Sequence, residues 1–248
     1  MKNKNKISVT IITCNEATNI RKCLESVNWA DEIIVVDSES KDNTVEIAKE
    51  FTDQVIVHKW KGYAAQKKYA MNMASNEWVL SLDADERVTT ELAEEIMTTN
   101  LSNFDGYKIK RENYFIGKKI TGCGWGNDYQ IRLFRKQMTK LSDRLVHEGF
   151  IVDGSLGTLN NVITHYSYQN LKDGFHKINE YSTLEANEKA EKKKITGLRV
   201  VFYPVWAFLQ HYFIRKGFRD GKYGLMVSLM HAMTKLQVYM KIWEIKNG

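Results

Sequence analysis

Proline occurs once in the 248 residues, at Pro204, and no stretch is dominated by serine, glycine or proline. That absence excludes a long flexible or polyproline linker between domains. Internal repeats are absent too, which removes solenoids and propellers. Cysteine is scarce: Cys14, Cys23 and Cys123 are odd in number and far apart, so they form neither a disulfide framework nor a zinc knuckle and read as free thiols of a reducing compartment. Long apolar runs are missing as well. The most apolar one, residues 200–209, contains Pro204 and is bordered by Arg199, Gln210 and His211; it is too short and interrupted to span a bilayer comfortably. The basic residues 1–6 lead into a run containing Ser8, Thr10 and Thr13 rather than an apolar signal segment, so secretion is not expected.

What is present suits one substantial core with an accessory region. The formal net charge of +6 is unevenly placed. Residues 189–248 hold 12 Lys/Arg against 3 Asp/Glu, whereas the preceding 188 hold 24 against 27. The basic surface is therefore C-terminal. It interleaves charge with large apolar residues and carries no nucleic-acid-binding module, so nucleic acid is not expected as a partner.

Residues 7–13 (ISVTIIT) and 32–37 (EIIVVD) are β-rich runs without polar alternation, as expected of strands covered on both faces. Between them Ile20, Cys23, Leu24 and Val27 recur at helical spacing. The pattern continues with a helix over 42–51, a strand over 54–58, a helix over 64–74, a strand over 78–82 ending in Asp83, and a helix over 90–99. Such alternation predicts a parallel sheet with helices on both faces, and ligands bind such sheets at the carboxyl ends of the strands. Residues 13–16, 37–40 and 83–86 fall at those ends. Strands over 107–112 and 130–135 flank a loop holding Gly117, Gly122, Gly124 and Gly126. It lacks the Gly-Lys-Ser/Thr ending of a phosphate-binding loop and reads as close turns beside an acceptor site.

Asp83 and Asp85 flank one small residue, and Glu86 follows at once. In an extended segment, carboxylates at i and i+2 point the same way and can face a hard cation or a ribose. A D-x-D alone is common in solvated turns. Here a third strand-end acid, Asp37, is expected at the same sheet edge, and convergent carboxylates need counter-charge. A nucleoside diphosphate with Mg²⁺ or Mn²⁺ would supply it.

With these residues placed, the chain resembles a family 2 glycosyltransferase of the GT-A fold. The matching elements are ISVTIITCNEATNIRKCLESV, VVDSESKDNT, AAQKKYAMNMA and LSLDADE, in order across the first hundred residues. The resemblance implies a Rossmann-like nucleotide-sugar-binding sheet. It places Thr13 and Glu16 at the nucleoside, Asp37 at the base, Asp83 at the ribose or metal, and Asp85 as principal metal ligand. Lys67 becomes a candidate donor partner, with a helix-surface lysine as the alternative.

The later runs WGNDYQIRLFR (125–135) and VHEG (146–149) are similar to the acceptor half of bacterial members acting on lipopolysaccharide core. By that similarity Glu148 is the candidate general base and Asp128 its rival. His147 would complete the metal shell or hold Glu148. Trp125 would stack on an acceptor sugar or serve as a buried anchor. Arg132 and Arg135 are candidates for a phosphate contact or for a solvated strand face. Inversion at the anomeric carbon follows from the resemblance through a single in-line displacement.

Residues 171–194 are expected as an amphipathic helix. The run at 200–209 with Tyr203, Trp206, Tyr212 and Phe213, near Arg215, Lys216, Arg219 and Lys222, suits a helix lying in an anionic interface; a helical hairpin with its aromatics in a core is the alternative. Residues 224–243 add an apolar-basic helix. The expected organisation is a catalytic domain over 1–170 and a helical, membrane-associating region over 171–248, on the cytoplasmic face of the cell membrane. The expected partners are a nucleotide-sugar donor, in the nearest resemblance UDP-glucose, and a glycan or glycolipid acceptor. Transfer to a capsule, a teichoic-type polymer or a protein stays open, as does a non-catalytic glycan-binding scaffold. A sugar-nucleotide pyrophosphorylase is disfavoured, because its glycine-rich N-terminal loop is replaced by Thr-Cys-Asn-Glu.

Overall fold

The computed structural model describes residues 5–142, 149–191 and 196–247. The chain forms two compact units, one of Met1–Arg111 with Tyr129–His165 and one of Glu112–Asp128 with Tyr166–Gly248.

The first unit is built on strands β1 (Ile7–Thr13), β2 (Glu32–Asp37), β3 (Val55–Val57) and β4 (Trp78–Asp83), connected by helices α1 (Ile20–Glu25), α2 (Thr44–Lys49) and α3 (Tyr63–Met73). β1 pairs in parallel with both β2 and β4. Alternate residues serve opposite faces: Val9, Ile11, Val35, Leu80 and Leu82 join α1 in one core, while Ile12, Ile34, Val36 and Val79 join α3 in the other. Burial on both faces explains the unbroken apolar runs. Each fully buried branched side chain contributes about 1.5–3 kcal/mol, before entropy is counted.

Past β4 come β5 (Glu86–Val88), α4 (Thr90–Thr98), β6 (Gly106–Phe115), the short β7 (Lys118–Lys119) and β8 (Asp128–Arg135). A two-stranded ribbon follows, β9 (Thr139–Leu141) with β10 (Phe150–Val152), and then β11 (Leu156–Tyr168). The Thr89 hydroxyl caps α4 by accepting from the Leu92 amide. The main sheet runs β3-β2-β1-β4-β8-β6-β11-β5, with β7 beside β6. β8 is antiparallel to β4 and β5 antiparallel to β11. The sheet is therefore mixed: β1 to β4 are parallel, as their alternation with helices predicts, and antiparallel strands extend the sheet beyond them. Strand order reverses at β1, with β2 on one side and β4 on the other, so the carboxyl ends of these strands flank a topological switch point.

The second unit holds α5 (Leu171–Ala190), α6 (Gly197–Leu209) and α7 (Gly221–Asn247). α7 packs against both α5 and α6. Phe115, Ile120, Ile178, Val227 and Met230 form one core, and Ala186, Ala190, Val238 and Ile242 a second. α6 ends in a π-turn at Gln210–Ile214, and the turn at Gly217–Asp220 lies so close to α7 that a Cβ on Gly224 would sit 1.9 Å from the Gly217 carbonyl oxygen. The Asp220 carboxylate accepts from the amides of Thr121 and Gly122, which pins the glycine-rich loop. A Cβ on Gly126 would lie 2.1 Å from the Thr121 carbonyl oxygen, so this loop uses glycine for close approach. Among the described residues, no helix is long and apolar enough to cross a membrane.

Candidate active site

The parallel register brings the candidates together at the switch point. Thr13 lies beside Asp37 and Ile12 beside Asp83. Asp37 is fully buried, and its carboxylate accepts from the Ser40 amide at 2.8 Å and from the Ser40 hydroxyl. The loops after β1 and β2 are tied across this edge. Asn15, in the left-handed conformation at φ 54°, donates its amide to the Ser40 hydroxyl and accepts from the Lys41 amide, while the Glu16 amide donates to Thr44 Oγ1. The Asn19 side chain donates to the Glu16 carboxylate at 2.6 Å. Gln66, fully buried on α3, donates to Ser38 Oγ and to the His58 carbonyl and meets His58 Nδ1 at 2.9 Å. The loop carrying Asp37 and Ser38 is thus fastened from below.

Asp83 does not share one extended segment with Asp85, which corrects the side-by-side expectation. β4 ends at Asp83 and the chain turns through Ala84 and Asp85 before β5 begins at Glu86. Asp83 meets Lys67 Nζ at 3.1 Å and Arg132 at 2.7 Å. Lys67 is 7% exposed and Arg132 4%. Neither the helix-surface reading of Lys67 nor the solvated-strand reading of Arg132 therefore holds. Arg132 also pairs with Glu86, which is fully buried and receives Arg111 at 3.1 Å. The other Glu86 oxygen accepts from the Asp83 amide at 3.0 Å. Burial opposes ionisation of Asp83, but Lys67 and Arg132, with Arg111 behind them, more than offset it and hold its carboxyl far below the usual carboxylate range. Burial likewise opposes the Arg132 charge, and Glu86 and Asp83 outweigh it.

Asp85 has different company. It is 8% exposed, and its Oδ2 lies 3.5 Å from Nε2 of His165, the register partner of Glu86 on β11. Among the described residues, no three His, Cys, Asp or Glu side chains converge into a closed metal cage. Behind the turn, Cys23 is buried and its thiol contacts the Asp83 carbonyl at 3.8 Å; burial first, then Glu86, Asp85 and Asp83, push this thiol well above its usual value and keep it inert.

In the second unit, Asp128 accepts from Asn113 Nδ2 at 3.1 Å, and the same amide donates to the Trp125 carbonyl. The Trp125 ring stacks on Tyr168 at 6.1 Å and meets His231 edge-on. Arg135, the other strand arginine, pairs with Glu77 and lies 5.1 Å over the Trp78 ring. His147 and Glu148 lie outside the described residues.

The family model for glycosyl transferase family 2 matches residues 8–151. The chain belongs to that family. A glycosyltransferase of Rickettsia prowazekii is 33% identical over 255 residues, covering 97% of this chain and 87% of its own. The lipopolysaccharide core biosynthesis glycosyltransferase LpsC of Rhizobium meliloti is 29% identical over 249 residues, covering 96% and 92%. Among solved structures, the S. aureus TarS 1–349 complex with UDP aligns at TM-score 0.49 and 14% identity, covering 98% and 92%. The transferase combines a mixed α/β sheet with C-terminal helices. Arg111, Glu86, Gln66 and His165 were not assigned site roles by sequence reasoning, and Arg132 was a candidate for a phosphate contact, not for the Asp83–Glu86 pairing it makes. Glu86 was visible in the LSLDADE run and Gln66 in the AAQKKYAMNMA run; Arg111 and His165 carry no local signal and are placed by strand pairing.

Proposed function

We propose that this transferase moves a hexose, glucose from UDP-glucose, onto a hydroxyl of a lipopolysaccharide core or related surface glycan, with inversion and with Mg²⁺ or Mn²⁺ bound beside Asp85. The observation that carries the reading is the convergence of Thr13, Asp37 and Asp83 at the switch point, with Asp85 in the adjoining turn. The similarity to LpsC, named for lipopolysaccharide core biosynthesis, supports the acceptor class.

In this reading Thr13 and Glu16 line the nucleoside, buried Asp37 accepts from the base edge, and Asp83 accepts from ribose hydroxyls. Lys67 and Arg132 neutralise Asp83, so that carboxylate adds no net repulsion to an incoming diphosphate. The residues fit a divalent cation at Asp85: a hard carboxylate oxygen stands 3.5 Å from an imidazole nitrogen of His165, and such ions commonly take one or two protein donors plus substrate phosphate oxygens. His165 joins Asp85 as a proposed ligand beside the earlier candidate, His147. When bound, the cation neutralises charge on the departing nucleoside diphosphate. Glu148, with Asp128 as rival, takes the proton of the acceptor hydroxyl as its oxygen attacks the anomeric carbon opposite the leaving group. Trp125 supplies an aromatic face for the acceptor sugar.

Residues 1–170 are proposed as the catalytic domain and 171–248 as a region that rests on an anionic membrane at the cytoplasmic face. On α6, Leu198, Val201, Phe202, Val205, Trp206 and Leu209 are all exposed, Leu198 at 79%. Only basic side chains, Arg199 and then Arg215, Lys216 and Arg219, border them before Asp220.

The test is donor turnover: full-length protein with Mn²⁺ or Mg²⁺ and a panel of UDP-, GDP-, dTDP- and CMP-sugars, scoring nucleotide release with and without EDTA. EDTA-sensitive hydrolysis of UDP-glucose is expected. Turnover of another donor overturns the glucose assignment, and turnover insensitive to EDTA overturns the metal.

A further inference from the structure

The outer side of α7 carries Met226, Leu229, Met233, Leu236, Met240 and Trp243, each between 38% and 57% exposed. Their spacing is 3-4-3-4-3, the a/d pattern by which one helix receives the knobs of another. No charge interrupts the stripe from 226 to 243, about 26 Å of helix at 1.5 Å per residue. It is narrow, unlike the apolar arc of α6, and its sides are not free: Gln237 and Lys241 bond to α5, while Tyr239 stacks on Tyr203 of α6. A two-in-seven seam of this kind suits a helix better than a lipid surface, which favours a stripe wider than about 100° with a basic fringe.

Charge at the two ends says which helix fits. Lys222 occupies the d position one heptad before Leu229, and Glu244 follows Trp243; both are exposed. A second α7 laid parallel sets Lys222 against Lys222 and Glu244 against Glu244. Laid antiparallel about the midpoint between Met233 and Leu236, it sets each Lys222 near the other copy's Glu244, and every seam layer pairs an a residue with a d residue: Met226 with Trp243, Leu229 with Met240, Met233 with Leu236. The stripe is self-complementary about a two-fold axis, as an isologous dimer contact requires. At about 150–200 Å² for a fully exposed large side chain, six half-exposed residues offer about 500 Å² per copy. With Leu225, which flanks the seam at 38% exposure, the two copies together bury about 1,100 Å², above the roughly 1,000 Å² that a specific interface needs.

We propose that this seam is a homodimer interface in which two copies of the chain pack their α7 helices antiparallel. The contact is independent of donor chemistry and of the metal, and it pairs two catalytic chains through their C-terminal helices.

The experiment is light scattering and sedimentation velocity on the full-length chain across a concentration series. The wild type is expected at twice the 28.8 kDa chain mass, and Leu236→Glu at the single mass with an unchanged circular dichroism spectrum. Lys222→Glu and Glu244→Lys are each expected to weaken self-association about tenfold through two reversed rim pairs, and the double reversal to restore it; this set stands even if Leu236→Glu misfolds. A wild type that stays monomeric at every concentration overturns the proposal, as does a dimer that persists in Leu236→Glu. A double reversal without rescue overturns the antiparallel pairing. A Leu236→Glu protein that instead loses co-sedimentation with phosphatidylglycerol vesicles, while the wild type is monomeric, assigns the seam to lipid.

Discussion

Replacing Arg132 by methionine keeps a long apolar stem in the sheet and removes the guanidinium alone. Glu86, with its side chain fully buried, is then left to Arg111 at 3.1 Å, and Asp83 to Lys67 at 3.1 Å. Breaking a buried pair by removing one partner costs about 3–5 kcal/mol, because the other charge stays desolvated. The surviving partners place this case at the lower end, about 3 kcal/mol. For a chain of this size that lowers the melting temperature by about 6–12 °C. The pH dependence carries a second, independent sign. The Asp83 carboxyl is depressed in the folded protein, so its stabilisation is complete above the unfolded value near pH 4 and is lost as pH falls through the lower folded value. Arg132→Met weakens that depression, so its deficit should be full at pH 7 and shrink as pH drops below about 4. Calorimetry or circular dichroism melts at both pH values measure it, with Arg132→Lys as a control that restores charge without the fork. A melting temperature within about 2 °C of wild type at pH 7, or a deficit that grows in acid, refutes the reasoning.

Asp85→Asn and His165→Ala should each weaken the Mn²⁺-dependent part of UDP binding at least tenfold while sparing metal-free binding; calorimetry showing full Mn²⁺-linked affinity in His165→Ala would remove that ligand. Glu148→Gln should keep donor affinity and lose transfer by at least 100-fold; unchanged turnover moves the base to Asp128. His231 stacks on His211 at 3.7 Å, and burial first, then His211, Arg215 and Lys235, push its imidazole down to about 3. Between pH 6.5 and 3 the unfolded chain binds a proton there that the native one refuses, so stability falls with decreasing pH by about 1.4 kcal/mol per unit in that window. His231→Phe should flatten that slope in urea melts, and an unaltered slope would locate the proton elsewhere.

The strands and helices of the first hundred residues were legible because both faces of the sheet are covered, which writes unbroken apolar runs into β1, β2 and β4. β11 was not, since Gly157, Leu159, Ile163 and Ser167 are its buried positions and, apart from Leu156 and Val162, polar residues and tyrosines fill the rest. β5 is three residues long and exists only through its pairing with β11. The strand-end acids were readable from position, but their division of labour was not. Arg132 reads as a phosphate contact or a solvated residue until Asp83 and Glu86, nearly fifty residues away, are folded against it. His165 sits in a strand without local signal and gains meaning only from Asp85. On α7, mixed apolar and basic composition fits a lipid surface and a packed hairpin alike, whereas the structure divides the helix into two packed sides and one narrow exposed seam.

The cationic clasp around Asp83 also determines which groups exchange protons during turnover. Because Lys67 and Arg132 keep that carboxylate ionised far into acid, it neither accepts the acceptor's proton nor protonates a leaving oxygen at any pH where the fold survives. The acidic limb of the wild-type pH–rate profile should therefore report a different carboxylate or an imidazole.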